Sequence, residues 1–303
     1  MTAGSPPFAP PRRVAITGAA GNLGQKLIDH LLAADWCEGI LAIDRVAPAS
    51  SSPRVSAVIA DLADAGDGRW HDALARADGL VHLAAQNPYP NASWDDAAVS
   101  LDMTLNLAQV AARCGVRRLV FASSNHVMGR YKDPPLADGL PPGGLTTDLT
   151  PAPGTRYFDG HRRVEDDAYA VAKLMGERVM GAAARHSAGA LSAVSLRIGW
   201  CQPGDNRPQT LNPAGLPEAS VGEHGDARDL AWFRNMWLSN RDFAAVMACA
   251  LTADPAAWPA PAIVVNAMSA NAGMPWDVAT TRERIGYRPK DDVWRELGGQ
   301  GPI

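Results

Sequence analysis

The stretch Val14-Ala15-Ile16-Thr17-Gly18-Ala19-Ala20-Gly21-Asn22-Leu23-Gly24 decides the fold. Three apolar residues read as a buried strand, and the turn after it opens a helix. Gln25 to Trp36 places Leu27, Ile28, Leu31, Leu32 and Trp36 on one helical face. Glycine allows the tight turn, lets the main chain approach a diphosphate and lets helix and strand come close. The free N–H groups and dipole of the helix N-terminus then favour the negative charge, which assigns Gly18, Gly21, Asn22, Leu23 and Gly24 to a phosphate cradle. A second strand, Ile40 to Ile43, ends at Asp44, twenty positions beyond Gly24. A carboxylate there accepts hydrogen bonds from both hydroxyls of an adenosine ribose and repels a 2′-phosphate, so the expected cofactor is NAD rather than NADP. The neighbouring Arg45 acts in the opposite sense, because a guanidinium accommodates that phosphate.

Outward from this turn the pattern repeats. Val55 to Ala60, Leu80 to Leu83 and Arg118 to Ala122 are short apolar runs, with helical stretches near 64–76 and 94–114 between them. This alternation predicts an α/β protein, a Rossmann-type doubly wound parallel sheet with helices on both faces. A helix over 166–187 and a strand from Ala193 to Ile198 continue it. Residues 12–199 are therefore expected to form the NAD-binding domain, and 200–303 mainly a small C-terminal substrate-binding lobe. A helix near 242–252 and a strand near 262–266 return from that lobe to the core. Two Pro- and Gly-rich segments, 130–165 and 202–230, are long for inert connectors and are expected to be lids or binding elements. Residues 1–11 lack the apolar run of a signal peptide and are expected to be a disordered tail.

The composition narrows the function classes. A net charge of -4 over 303 residues leaves no basic face for nucleic acid and no polybasic membrane patch. No apolar run approaches the roughly 20 residues that cross a bilayer. Cys37, Cys114, Cys201 and Cys249 are far apart and form no CxxC pair, so reduced thiols in a cytoplasmic protein are expected, without a metal site.

Chemistry enters at Tyr169-Ala170-Val171-Ala172-Lys173. Their spacing sets a phenol and an ammonium on one helical face, a turn apart. A free tyrosine has a pKa of about 10, too high for a base near neutrality, and a neighbouring ammonium favours its phenolate. Tyr169 would take the proton of a substrate hydroxyl as the hydride leaves, and Lys173 would also reach the nicotinamide ribose. Phe121-Ala122-Ser123-Ser124-Asn125-His126 follows the fifth strand, and the carboxyl ends of parallel strands are where such sheets hold ligands. Ser124 would hold the substrate oxygen against Tyr169.

TGxxGxxG, Asp44, Asp61-Leu62, His82-Leu83-Ala84-Ala85, Ser124 and YxxxK, in that order, resemble the extended short-chain dehydrogenases/reductases. The resemblance covers nearly everything after residue 12. It implies that Asp61 and Leu62 lie beside the adenine, that Ala84 and Ala85 border the cofactor, and that Ser124, Tyr169 and Lys173 form the catalytic set. Within the superfamily, Phe121 to His126, Arg197-Ile198-Gly199, Trp237-Leu238-Ser239 with Asp242-Phe243, Ser269 to Gly273 and Ile285 to Asp291 resemble uronate dehydrogenases. Those enzymes oxidise the anomeric hydroxyl of a hexuronic acid to an aldarolactone with NAD. By that likeness Ser124, Asn125 and His126 contact the sugar, and Gln86 and Asn87 fall at a polar substrate contact. An arginine holds the substrate carboxylate, for which Arg207 and Arg234 are the counterparts, Arg207 slightly preferred.

Two features depart from that pattern: Ser124 and Tyr169 lie 45 positions apart, and the segment after Gly199 is expanded. Two other functions share the scaffold. A sugar or sugar-nucleotide epimerase uses the same tyrosine and lysine, whereas a dehydratase is disfavoured by Asn125 and His126 standing where an acidic pair is usual. A non-catalytic NAD sensor would have no need of Ser124, Tyr169 and Lys173 together. A small-molecule partner, most simply a sugar acid, and a homo-oligomer through helices 94–114 and 166–187 complete the expectation, the latter by analogy alone.

Overall fold

The computed structural model describes residues 8–86, 92–158, 161–212 and 227–299. Its elements in chain order are β1 (Arg13–Thr17), α1 (Asn22–Leu32), β2 (Gly39–Asp44), β3 (Val55–Ile59), α2 (Gly68–Leu74), β4 (Gly79–His82), α3 (Trp94–Ala111) and β5 (Arg118–Ser124). They continue with β6 (Thr155–Phe158), β7 (Arg163–Asp166), α4 (Ala168–His186), β8 (Ser192–Ile198), α5 (Ala227–Asn235), α6 (Asn240–Thr252), β9 (Ala262–Ala267), α7 (Ala279–Ile285) and α8 (Val293–Glu296).

Seven strands pair in parallel in the order β3-β2-β1-β4-β5-β8-β9, a Rossmann-type sheet as expected. Every residue of β4, β5 and β8 is buried, which is why these strands read as near-continuous apolar runs. Leu27, Ile28 and Leu31 of α1 pack with Phe243, Val246 and Met247 of α6 on one face of the sheet. Trp70, Leu107 and Met180, from α2, α3 and α4, cover the other. The chain reverses direction across the sheet between β1 and β4, and this switch point opens a crevice at their carboxyl ends.

Some boundaries moved. The first helix starts three residues earlier than periodicity indicated, at Asn22, because the glycine turn itself forms its N-cap. The fifth strand runs on to Ser124. The Pro-rich stretch 130–165 is not irregular throughout, since β6 and β7 pair as an antiparallel hairpin inside it. The disordered tail expected over 1–11 does not extend to residues 8–11: the Phe8 ring lies 4.4 Å from the Arg118 guanidinium, and Arg117 donates to the Ala9 carbonyl at 3.2 Å. Residues 1–7 lie outside the described residues.

Beyond the sheet's carboxyl edge sits a third apolar cluster, in which Val127, Met128 and Tyr157 meet Trp232, Phe233 and Trp276. It joins the segment after β5 to α5. Among the described residues no helix is long and apolar enough to cross a membrane, and no group of three or more His, Cys, Asp or Glu could hold a metal. All four cysteines are free.

Candidate active site

Two cavities share the crevice. One, of about 310 Å³, is lined by Asp44, Arg45, Asp61, Leu62, Ala84 and Ala85, all expected at the adenosine half of a dinucleotide. The other, of about 320 Å³, is lined by Asn22, Leu23 and Gly24 and by the Ser124, Tyr169 and Lys173 group. Gly18, Gly21, Leu83 and Ala85 line both and join them. Gly18 has φ +69°, and a Cβ there would stand 2.8 Å from the Ala84 nitrogen; at Gly24 it would run into the Gly18 carbonyl. A side chain at Gly24 would push α1 off the turn after β1, and one at Gly18 would press on the main chain after β4.

α1 opens at Gly21 without a side-chain cap, so its first-turn N–H groups face the cavity for an anion. Asp44 is held by its surroundings: one carboxylate oxygen accepts from the Ala20 N–H at 3.0 Å, the other from the Arg45 N–H at 2.7 Å. Uncapped helix, glycine cradle and fixed carboxylate fit NAD. Replacing Asp44 with alanine is expected to raise the Kd for NAD by about 10- to 100-fold, the value of one or two hydrogen bonds to a charged group. It should also shift preference toward NADP; titration with both cofactors checks this, and an unchanged ratio removes Asp44 from the ribose.

Tyr169 and Lys173 sit one turn apart on α4, which starts where β7 ends. Asp166, the last residue of β7, accepts the Tyr169 N–H and so fixes the first turn. Lys173 is buried, donates to the Ala122 carbonyl at 2.8 Å, and lies 5.6 Å from the centre of the Tyr169 ring. Ser124 hydrogen-bonds the phenol while its oxygen accepts the His126 N–H at 3.2 Å. Burial pushes the Tyr169 phenol up to about 12, with Asp166 adding to the rise and the Ser124 hydrogen bond opposing it. Burial also brings the Lys173 ammonium down to about 8. Neutral phenol beside ammonium is thus the resting state at pH 7.

The outer half of this cavity carries the sugar-facing candidates. Asn125 donates its amide to the Ile198 carbonyl at 3.0 Å, which fixes its orientation. Its Oδ1 is buried and has no hydrogen-bond partner among the described residues. His126 Nδ1 lies 2.6 Å from Thr155 Oγ1, and burial holds its imidazole down at about 3, hence neutral. Trp200, Phe233 and Met236 form the apolar wall. These three were not foreseen. Trp200 was findable, because it lies two residues beyond the end of β8, at the same carboxyl edge as Asn125 after β5; Phe233 and Met236 lie beside an irregular segment with no periodic signal.

Other expectations fare differently. Gln86 lines the adenosine-side cavity and also a small cleft bordered by Tyr169 and Lys173, and its N–H donates to Ser100 Oγ at 2.9 Å. Asn87 lies outside the described residues. Neither arginine reaches the cavity. Arg207 points into solvent beside Asp205, 3.7 Å away, because the turn at Pro208 uses its main chain and releases its side chain. The Arg234 guanidinium lies 5.7 Å from the centre of the Trp294 ring, and Arg234 is not among the residues lining the cavity although its neighbour Phe233 is.

Beneath the site, Arg197 on β8 forms a two-point ion pair with Glu177 on α4, at 2.8 and 2.9 Å. Ser123 donates to the same carboxylate at 2.6 Å. These contacts tie β5, which carries Ser124, and α4, which carries Tyr169 and Lys173, to the neighbouring strand β8.

Fold and crevice together define an NAD-dependent dehydrogenase of the short-chain dehydrogenase/reductase superfamily. The chain belongs to the NAD dependent epimerase/dehydratase family, whose model matches residues 14–265. It is 34% identical over 288 residues to an L-arabinose 1-dehydrogenase (NAD(P)(+)) of Haloferax volcanii, covering 92% of this chain and 97% of that one. To a uronate dehydrogenase of Agrobacterium fabrum it is 28% identical over 285 residues, covering 93% and 86%. A solved structure of a glucuronic acid dehydrogenase from Chromohalobacter salexigens superposes with a TM-score of 0.66 at 25% identity, over 97% of this chain and 91% of that one.

Proposed function

We propose that the protein oxidises the anomeric hydroxyl of a free, uncharged aldose to the lactone. The observation that carries the reading is the convergence of Ser124, Tyr169 and Lys173 on one end of a cavity whose other end is the phosphate cradle. NAD, when bound, accepts the hydride. Ser124 holds the sugar oxygen beside the phenol. Tyr169 takes the hydroxyl proton, and the Lys173 ammonium favours the phenolate that this requires. The Asn125 Oδ1 accepts from a second sugar hydroxyl, satisfying an otherwise costly buried acceptor. Trp200 and Phe233 offer apolar faces to the ring.

Charge favours a neutral sugar. Lys173 is the one charged residue among the described residues lining this cavity. Residues 87–91, 159–160 and 213–226 contain no lysine or arginine. A buried carboxylate without a cation is costly. The hexuronic acid implied by resemblance is the second reading, favoured by the uronate dehydrogenases among the relatives. A screen following NADH formation is expected to give the best neutral aldose a kcat/KM at least about tenfold above galacturonate or glucuronate, the value of one missing charge-assisted contact. The opposite ratio restores the hexuronate. An isomerised sugar without stoichiometric NADH would identify an epimerase instead.

A further inference from the structure

The two long segments singled out in the sequence, 130–165 and 202–230, meet at one point. Lys132 ends the 3₁₀ turn Asn125–Lys132, whose first residues are the cavity's Asn125 and His126. Its ammonium lies 2.6 Å from Asp229 Oδ1 in the first turn of α5, and both side chains are fully buried. Arg163 on β7 reaches the other Asp229 oxygen at 3.2 Å, and Asp133 lies 3.2 Å from Lys132. Asp229, Phe233 and Met236 follow at spacings of four and three, along one face of α5 and its continuation. The residue that grips Lys132 therefore shares a face with the two that line the cavity.

A buried ion pair adds little net stability over an apolar pair of the same shape, but only one relative placement satisfies both charges. We propose that Lys132 and Asp229 are positioning residues for substrate selection. They lock α5 against the segment 125–132 and so fix the distance between the Phe233–Met236 wall and the Asn125–His126 edge. Residues 125–132 and 227–236 work as a single wall, with the β6–β7 hairpin joined to it through Arg163. The specificity role rests on the sugar reading above; the locking does not.

The decisive variant is Lys132→Met/Asp229→Leu, which removes the two fully buried charges together; Asp133 and Arg163 each lose one partner but are within reach of solvent. It is expected to fold with a melting temperature near that of the parent, and to raise the KM of the best aldose by about tenfold. The parent's kcat and its Kd for NAD should be kept within about twofold. Hydrogen exchange should rise together in 125–132 and 227–236 while 14–24 is unchanged. Should the double variant not fold, Arg163→Gln, at a partly exposed position, is expected to show the same coupled exchange and a smaller rise in KM. An unchanged KM with a folded double variant, or exchange rising in only one of the two segments, overturns the proposal. If no sugar is oxidised by the parent, the functional reading fails, while the exchange experiment still decides whether the lock exists.

Discussion

Tyr169→Phe is expected to lower kcat/KM for sugar oxidation by about 10²- to 10⁴-fold, the usual contribution of a positioned acid or base. Phenylalanine keeps the ring, including its edge contact with His126 at 6.0 Å, so fold and NAD affinity should be retained. Initial rates with NAD titrated in parallel check this; a variant keeping more than a tenth of the activity would remove Tyr169 from the role of base. The pH profile gives the sign independently. Oxidation needs the phenolate, whose formation burial opposes, so the rate should climb from neutral to alkaline pH. Lys173→Met removes the charge that favours the phenolate and should move this limb to higher pH. Because burial keeps His126 neutral, its pKa lying at about 3, a bend near 6.5 would show that the imidazole titrates after all.

The second large effect is on stability. Glu177→Ala is expected to destabilise the protein by about 3–5 kcal/mol, because it leaves a buried guanidinium without its counter-charge. Arg197 is 2% exposed and one of its nitrogens already lacks a partner among the described residues. Glu177→Ala also frees Ser123, and Tyr169, Lys173 and Glu177 recur every four residues along one face of α4. Activity should therefore fall together with stability. Urea unfolding monitored by tryptophan fluorescence measures the loss, and a change below about 1 kcal/mol would show that the pair is dispensable. Replacing both partners with leucine and methionine should cost far less, since no charge is then stranded.

The glycine turn, Asp44, Ser124 and the Tyr169–Lys173 spacing were legible because each follows from local rules of strand end, turn and helix. The sheet was legible for the same reason, its strands buried on both faces. The β6–β7 hairpin was hidden: its strands are four residues each, its outward positions alternate charges such as Arg156 and Glu165, and prolines crowd the approach. The arginines were less legible. Sequence order placed Arg207 and Arg234 near the site, but the direction of a side chain depends on partners from elsewhere, here Asp205 and Trp294. Phe233 and Met236 were invisible because α5 reaches the crevice through contacts with Lys132 and Trp276, which are remote in the chain.

The Lys132–Asp229 contact restricts how this pocket can be transplanted. Grafting 125–132 alone onto another dehydrogenase would carry a lone ammonium into an oily interior, and grafting 227–236 alone would carry a lone carboxylate. The two pieces have to travel as a matched set, so a chimera that borrows one without the other should accumulate mostly as insoluble protein.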